Sequence, residues 1–388
     1  MSQFTTDPEL VDIRRHLHAN PELSGREEET ARYIEQRLES FGIDDVERLC
    51  DTGVVALIEG ANEGPTRAYR ADIDALPIEE CNDVEYASRN PGVMHACGHD
   101  VHTTVGLGIA RNLERRKDEL GGRVKLIFQP AEEASPEDEP VGAERMARAG
   151  VLEDPDVDAI YALHCMPSLA VGHIGYTGGP VWAGSHLMEI EIEGKKAHGA
   201  YPHEGIDAVA VGSQVVVALQ QIVARRLDAR QSCVISVGRM EAGNSYNIIA
   251  ERASLTGIVR GLSQEVIDEA LEAIEHTATR VADGLGARAT VEFTAGARPV
   301  VNDRSLESAA VDRIADKLGD SVVTAHPPQL GAEDFSAFSR RVPGAYLFLG
   351  IRNEQRGITS ALHTPDFDVD EDAIGLGVAA MTEVLVGA

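Results

Sequence analysis

Residues 124–133 read Val-Lys-Leu-Ile-Phe-Gln-Pro-Ala-Glu-Glu, a short apolar run that ends in a proline and two acids. The run 124–128 is typical of a buried strand because it is short, apolar and rich in branched and aromatic side chains. Similar runs at 54–57, 66–70 and 159–163 alternate with segments of helical spacing. This alternation predicts an α/β layer fold with a substantially parallel sheet.

The helical segments of this part of the chain have apolar residues at intervals of three and four. They are 8–19, 27–41, 103–113 and 141–149.

The pattern changes near Gly184. Four alternating strands and two long apolar-faced helices follow in the order βαββαβ, which is typical of a ferredoxin-like α+β unit. In chain order these elements are predicted at 187–192, 207–226, 234–239, 253–259, 264–285 and 289–294. A helix at 305–317 and a strand at 345–349 then resume the first pattern. We therefore predict a small domain at 184–294, inserted into an α/β domain formed by 1–183 and 295–388.

The charge of the chain excludes some partners. It has 64 acidic and 35 basic residues, which gives a net charge of −29. Such a field repels nucleic acid and anionic membranes. Only five of the bases are lysine. The balance favours an acidic surface adapted to high salt, where repulsion between carboxylates is screened, although an ordinary acidic protein remains the alternative.

The cysteines and the apolar runs indicate a cytoplasmic setting. The five cysteines are scattered and form no CxxC pair, so a disulfide framework is not expected. The start of the chain is polar and acidic rather than a leader sequence, and we find no apolar run near the 18 or so residues that span a membrane.

The segment His95-Ala-Cys97-Gly98-His99-Asp-Val-His102 concentrates residues that bind metals. Cys97 and His99 can converge on one cation if the chain turns at Gly98. Thiolate and imidazole suit zinc, and also manganese, cobalt or nickel, depending on the other ligands. The alternative is a histidine-rich loop with a structural cysteine.

The pair Glu132-Glu133 follows the predicted strand 124–128, at the sheet edge where α/β proteins bind ligands. Adjacent carboxylates can divide their roles: one ligates a metal, and the other takes a proton from the water that the metal activates. The alternative is the start of a solvated acidic loop, which we predict for the second half of 132–139.

Three further residues are expected at the same edge. His164 follows the strand 159–163, and His363 lies in Ala361-Leu-His-Thr-Pro365. Their placement favours ligands, although a lone histidine can also be an ordinary core or surface residue. Asp72 ends the strand 66–70 and can orient a ligand imidazole through its other nitrogen, or it can serve as a turn or cap residue. Other schemes fit less well, since the chain has no G-x-S-x-G elbow, no dinucleotide fingerprint and no P-loop.

Taken together, these segments resemble the M20 peptidase family, and most closely its amidohydrolase branch of hippurate hydrolases, auxin-conjugate hydrolases and N-acetyl-diaminopimelate deacetylases. The resemblance covers nearly the whole chain. It rests on Arg70-Ala-Asp-Ile-Asp-Ala-Leu-Pro77, Met94-His-Ala-Cys-Gly-His-Asp100, Phe128-Gln-Pro-Ala-Glu-Glu133, Leu163-His164 and Leu362-His363.

The resemblance implies a metal-dependent α/β catalytic domain with an inserted ferredoxin-like lid, which usually forms a homodimer. It implies a site for two divalent metal ions. The ligand positions fall on Cys97, His99, Glu133, His164 and His363. Glu132 falls on the general acid/base and Asp72 on the acid that supports the site.

The lid of the family also has counterparts here. His198 matches the histidine that polarises the scissile carbonyl, often across the dimer. Asn247 and Arg260 match residues that bind the carbonyl and carboxylate of the substrate, and Glu333 is expected to line the site. Arg260 could instead be a surface strand residue. Ala250 stands where the family often has proline.

The implied reaction is hydrolysis of the amide bond of an N-acyl amino acid. An M20-type dipeptidase or aminoacylase is the nearest alternative. Alternatives from other classes are a non-catalytic metal- or ligand-binding protein on the same scaffold and a structural assembly protein.

Overall fold

The computed structural model describes residues 6–134 and 140–387. It divides into two compact units, the larger formed by Met1–Gly179, Val301–Pro327 and Ala337–Ala388, and the smaller by Pro180–Val300 and Pro328–Ser336. The boundaries predicted from the sequence, 184 and 294, stay a prediction. The loop predicted for 135–139 and the first five residues of the polar amino terminus lie outside the described residues.

The larger unit contains a mixed sheet, and the α/β fold class predicted from the sequence is confirmed. Its strands, in spatial order, are Val46–Leu49, Gly53–Glu59, Gly121–Gln129, Asn62–Asp72, Ala159–Ala170, Gly344–Arg352, Ile174–Tyr176 and Val323–Ala325. The four central strands, from Gly121–Gln129 to Gly344–Arg352, run parallel, whereas the strands at either side also pair antiparallel.

The register of the central strands places the polar residues at one edge. Asp72 pairs with Gln129, and Arg70 pairs with Ala162. His164 pairs with Phe348 of the neighbouring strand. Because these strands are parallel, their carboxyl ends lie at the same edge of the sheet, as the sequence predicts.

The helices of the larger unit bury apolar side chains in its interior. They are Pro8–Ala19, Glu28–Ser40, His99–Arg115, Gly142–Arg148, Arg304–Leu318 and Asp372–Gly387. The helix His99–Arg115 is buried along most of its length. A helix that is buried on all sides is held in place by packing rather than by its own propensity, so its first residues are fixed relative to the sheet.

The smaller unit contains an antiparallel sheet with the strand order Cys233–Ala242, Arg252–Gly261, Gly184–Glu193 and Arg288–Ala295. Ala208–Arg225 and Gln264–Gly284 are its long helices. Each begins at a side-chain cap: Asp207 accepts from the amide of Val209, and Ser263 accepts from the amide of Val266. Both helices bury apolar residues in the core of this unit, as the alternating and helical patterns predict.

The expectation that no apolar run is near the length of a membrane span is wrong. The helix Ala208–Arg225 has 18 residues with a mean hydropathy of 1.4, which meets the length and composition of a membrane span. One such helix is weak evidence for a span. Val211, Val215, Leu219 and Ile222 lie along its buried face in the core of the smaller unit, so its apolar character has a role in packing.

Short elements complete the described chain. They are Pro180–Trp182, Ala197–His198, Pro202–Glu204, Ile248–Ile249, Val300–Val301, Asp320–Val322, Ser336–Ser339 and Glu354–Arg356.

Candidate active site

The segment 95–102 makes the turn that the sequence predicts. Gly98 has a φ of +89° and precedes the helix His99–Arg115. A side chain at this position would be strained by the backbone conformation. Its Cβ would also lie 2.9 Å from the Cβ of Cys165. Glycine therefore lets Cys97 and His99 point toward the same place.

Two groups of potential ligands share Cys97. In the first group, ligand atoms of Cys97, His99 and His164 lie within 4.8 Å of one another, and Sγ of Cys97 is 3.5 Å from Nε2 of His164. In the second group, Nε2 of His363 is 3.3 Å from Sγ of Cys97 and 3.2 Å from Oε1 of Glu133. Cys97 would thus contribute to both groups if each held an ion.

His363 reaches this group through an unusual backbone conformation. Its φ is +61°, and its amide donates to the carbonyl of Ala96 over 2.8 Å. A non-glycine residue in this region costs about 1 kcal/mol or more. The hydrogen bond to the neighbour of Cys97 holds the His363 loop beside the 95–102 turn.

His102 belongs to the same histidine-rich segment, but protein groups already occupy its ring. The amide of Cys165 donates to Nε2 over 2.8 Å, so the proton resides on Nδ1, which donates to Asp72. A histidine with both nitrogens occupied in this way is not available to a metal. The structure thus gives the physical reason why His99, and not His102, is available as a ligand.

Asp72 lies at the centre of this network. Nη1 of Arg70 donates to it over 2.7 Å, and Nε2 of His99 is 3.7 Å away. Burial alone would raise the pKa of the Asp72 carboxyl, but Arg70, His99 and His102 hold it well below the usual range. Asp72 therefore stays ionised beside the potential ligands.

The charges of the site fit divalent cations. Burial, together with Glu133 and Glu132, raises the pKa of the Cys97 thiol well above its ordinary value. Burial alone would lower the pKa of His99, but Asp72, Asp74 and Glu133 raise it to about 10. Protons are retained here because the surrounding charge is negative, and a metal ion can replace them.

Two buried atoms point to the same conclusion. Nε2 of His99 and Oε1 of Glu133 have no hydrogen-bond partner among the described residues. Oε1 of Glu133 lies near His363, but without hydrogen-bond geometry. Buried polar atoms without partners are costly, and coordination would satisfy both. The donor set of thiolate, imidazole and carboxylate suits zinc and related metals.

The sequence did not reveal what anchors the start of the His99–Arg115 helix. Nε of Arg14 and Nδ1 of His18 each lie 2.8 Å from Oδ2 of Asp100. Burial alone would raise the pKa of Asp100, but Arg14 and His18 hold it far below its usual range. The sequence does hold a signal for this contact: Arg14 and His18 lie at helical spacing on the same face as Leu10, Ile13 and Leu17. All five residues are buried in the Pro8–Ala19 helix.

Two of the predicted lid residues lie next to each other in the smaller unit. His198 pairs with Ile248 in a short ladder, and the amide of Gly199 donates to the carbonyl of Asn247 over 2.8 Å. The amide of Ala200 donates to Nδ1 of His198. Nδ1 of this exposed ring is therefore an acceptor, which leaves Nε2 to donate.

Arg260 and Glu333 also belong to the smaller unit. Arg260 lies on the strand Arg252–Gly261 and is half-buried, and its Nη1 has no partner among the described residues. Burial lowers the pKa of its guanidinium. Glu333 is buried and accepts from the amide of Phe335 over 3.0 Å. An unpaired buried guanidinium nitrogen is suited to bind an anion.

Comparison with known proteins gives a consistent result. The model of peptidase family M20/M25/M40 matches residues 68–386. The chain is 39% identical to the N-acetyl-L-cysteine deacetylase of Bacillus subtilis, over 95% of this chain and 86% of that protein. It is 37% identical to the IAA-amino acid hydrolase ILR1-like 4 of Arabidopsis thaliana, over 95% and 83% of the two chains.

A solved structure extends the similarity to the fold. The Bacillus subtilis YXEP protein, described as a dinuclear metal binding peptidase from the M20 family, superposes with a TM-score of 0.85. It is 36% identical, and the match covers 97% of each chain.

Proposed function

We propose that this chain, which belongs to the M20/M25/M40 peptidase family and is a hydrolase of the amidohydrolase type, hydrolyses the amide bond of N-acyl amino acids. The observation that carries the proposal is the convergence of Cys97, His99, Glu133, His164 and His363 beside Glu132. Relatives named for N-acetyl-L-cysteine and for IAA-amino acids support this substrate class.

In this proposal Glu132 moves the protons. Its carboxylate takes a proton from the attacking water and then delivers it to the nitrogen of the leaving amine. Asp72 stays ionised beside Nε2 of His99 and supports the site by its charge. Asp74, not Asp72, orients the His99 ring, because Nδ1 of His99 donates to it. Two divalent ions held by Cys97, His99, Glu133, His164 and His363, of which manganese, zinc, cobalt and nickel are candidates, would supply Lewis acidity for water and for the amide carbonyl.

The residues of the smaller unit bind the substrate in this proposal. Nε2–H of His198 donates to the developing oxyanion, which is the usual role of a preorganised donor. Arg260 binds the α-carboxylate of the amino acid, and Asn247 donates to its acyl carbonyl. Glu333 lines the site. The unpaired Nη1 of Arg260 supports its assignment.

Peptide hydrolysis is the second candidate function. The description of the Bacillus subtilis YXEP protein as a peptidase favours it. The two candidates differ in what lies beside the scissile bond, because a dipeptide has a charged amino group where an N-acyl amino acid has an uncharged acyl group.

We expect N-acetyl, N-benzoyl and indole-acetyl amino acids to be hydrolysed with a kcat/KM at least about 10-fold higher than simple dipeptides, since burying an unpaired ammonium costs 1 kcal/mol or more. The measurement is release of the free amino acid, at low and at high salt. Preference for dipeptides would contradict the proposal, and full activity without added salt would contradict the predicted salt-adapted surface.

The proposed contact between Arg260 and the α-carboxylate can be tested with substrates whose carboxylate is free or amidated. Arg260→Ala should raise KM for substrates with a free carboxylate by roughly 10-fold to 100-fold, which is the loss expected for a charge-assisted hydrogen bond. For the same substrates with the carboxylate amidated, the variant and the native enzyme should differ little. An equal effect on both would assign Arg260 to the structure of the sheet.

We also propose that the chain forms a homodimer through the smaller unit. Val217 is 60% exposed on the helix Ala208–Arg225, which also exposes Val209 and Val223. Met240 is exposed on the edge strand Cys233–Ala242. Exposed apolar side chains on a helix and on an edge strand of the same unit are suited to contact with a second copy.

Light scattering is expected to give twice the mass of one chain for the native protein and for Leu285→Glu, and the mass of one chain for Val217→Glu. Leu285 is also exposed but lies at the end of the other helix, which makes it the matched control. A native monomer would reject the dimer.

The cytoplasmic location stays a prediction, supported by five cysteines that form no disulfide.

A further inference from the structure

Two buried carboxylates lie behind the turn that carries Glu132 and Glu133. They belong to Glu27, which is fully buried before the helix Glu28–Ser40, and to Asp74, which is 1% exposed. Neither is a ligand or a proton carrier in the proposed mechanism. Their contacts on the turn suggest a different role.

Glu27 holds the turn from one side. Its Oε1 accepts from the amide of Ala131 over 2.8 Å and from the amide of Gly25 over 2.8 Å. Its Oε2 accepts from the hydroxyl of Thr52 over 2.7 Å. Glu27 thus accepts three hydrogen bonds and links Ala131, which precedes Glu132, to the amino-terminal part of the unit.

Asp74 holds the turn from the other side. Its Oδ2 accepts from the amide of Glu133 over 3.0 Å and from the hydroxyl of Ser24 over 2.6 Å. Its Oδ1 lies 3.2 Å from Nδ1 of His99. The amides on both sides of Glu132 are therefore bound by buried carboxylates.

The backbone between these amides needs such support. Ala131 has a φ of +52°, in the left-handed region that costs a non-glycine residue about 1 kcal/mol or more. Its carbonyl accepts from the amide of Gly142 over 2.9 Å. This conformation determines where the side chain of Glu132 begins, and it persists because its amide and carbonyl are both bound.

Both carboxylates are buried, and burying a carboxylate costs free energy unless it is hydrogen-bonded. Burial raises the pKa of Glu27, and the negative charge of Asp74 raises it further. Burial alone would raise the pKa of Asp74, but its hydrogen bonds to His99, Ser24 and Glu133 lower it. Buried carboxylates that bind the segment of a proposed base are typical of a functional site.

We propose that Glu27 is a positioning residue that, together with Asp74, clamps the amides flanking Glu132 and so fixes the carboxylate of the base. The proposal rests on the assignment of Glu132 as the base. It adds a residue more than 100 positions away in the sequence, since Glu27 and Ala131 are separated by 104.

The test compares Glu27→Ala and Glu27→Met with Glu27→Gln. The first two remove the acceptor, and kcat should fall about 100-fold, because a shift of about 1 Å in a catalytic group costs about this much. KM and bound metal should stay within about 3-fold. Glutamine can accept from Ala131 and Gly25 and can donate to Thr52, so kcat of Glu27→Gln should stay within about 3-fold of native.

Glu22→Ala is the matched control. Glu22 accepts from the amides of Glu29 and Thr30 at the start of the same helix, and among the described residues its side chain makes no hydrogen bond to the turn of Glu132. This variant should lose thermal stability and keep its kcat. Folding of each variant is checked by near-UV circular dichroism.

The outcomes separate the two proposals. Native kcat in folded Glu27→Ala, or an equal loss in Glu22→Ala, would overturn the clamp. So would a 100-fold loss in Glu27→Gln, or failure of both Glu27→Ala and Glu27→Met to fold while Glu22→Ala folds. If Glu132→Gln itself kept native turnover, the proposed function would fail first, whatever the Glu27 variants show.

Discussion

Glu132→Gln is expected to lower kcat by about 1,000-fold while the enzyme keeps its metal. Glutamine preserves the shape of the side chain but cannot take a proton from water, and general acid–base catalysis contributes about 10²-fold to 10⁴-fold. Glu132 serves as base and then as acid in the proposed mechanism, so both proton transfers are lost. The measurement is steady-state hydrolysis of an N-acyl amino acid, together with metal content by mass spectrometry.

Glu133→Gln is the informative comparison. Oε1 of Glu133 is buried, lies beside Nε2 of His363 and has no hydrogen-bond partner among the described residues. This variant should lose metal as well as turnover, since an amide is a poorer ligand than a carboxylate. Turnover of Glu132→Gln close to that of the native enzyme would remove Glu132 from the mechanism. Equal metal loss in both variants would make the two residues equivalent.

Removal of divalent metal is expected to abolish activity, and manganese, zinc or cobalt should restore it. Burial and Glu133 raise the pKa of the Cys97 thiol, and Asp72, Asp74 and Glu133 raise that of the His99 imidazole against the effect of burial, so a divalent cation would be favoured here. Without a metal, the amide carbonyl and the water lose their Lewis acid, which is worth several kcal/mol in such sites. The measurement is activity after prolonged chelation and dialysis, followed by titration with each metal.

Metal binding should also be visible without any substrate. A ligand that binds only the native state stabilises it by about 2.7 kcal/mol when its concentration is 100 times the dissociation constant. The melting temperature rises as a result. We expect this shift for the native protein and for Glu132→Gln, and a much smaller one for Cys97→Ala, because Cys97 is shared by both ligand groups. Activity that survives chelation, or a thermal shift unchanged in Cys97→Ala, would argue against the dinuclear site.

Local patterns account for what could be predicted. The strand 124–128 and the helix 8–19 have strong periodicity, and the structure gives Gly121–Gln129 and Pro8–Ala19. The long helix predicted at 103–113 begins earlier, at His99, because tertiary packing buries its first turn. Periodicity could not find that start, since the polar residues His99, Asp100 and His102 are buried through specific partners.

Local sequence patterns were sufficient to predict the α/β class, the βαββαβ order and the residue types of the candidate metal site, because periodicity, turn residues and motifs are local properties of the chain. The packed chain was needed to show that the ring of His102 is already occupied, that Arg14 pairs with Asp100, and that Glu27 and Asp74 hold the turn of Glu132. These are contacts between distant segments. Their hydrogen-bond partners and burial come into existence only when the segments pack together.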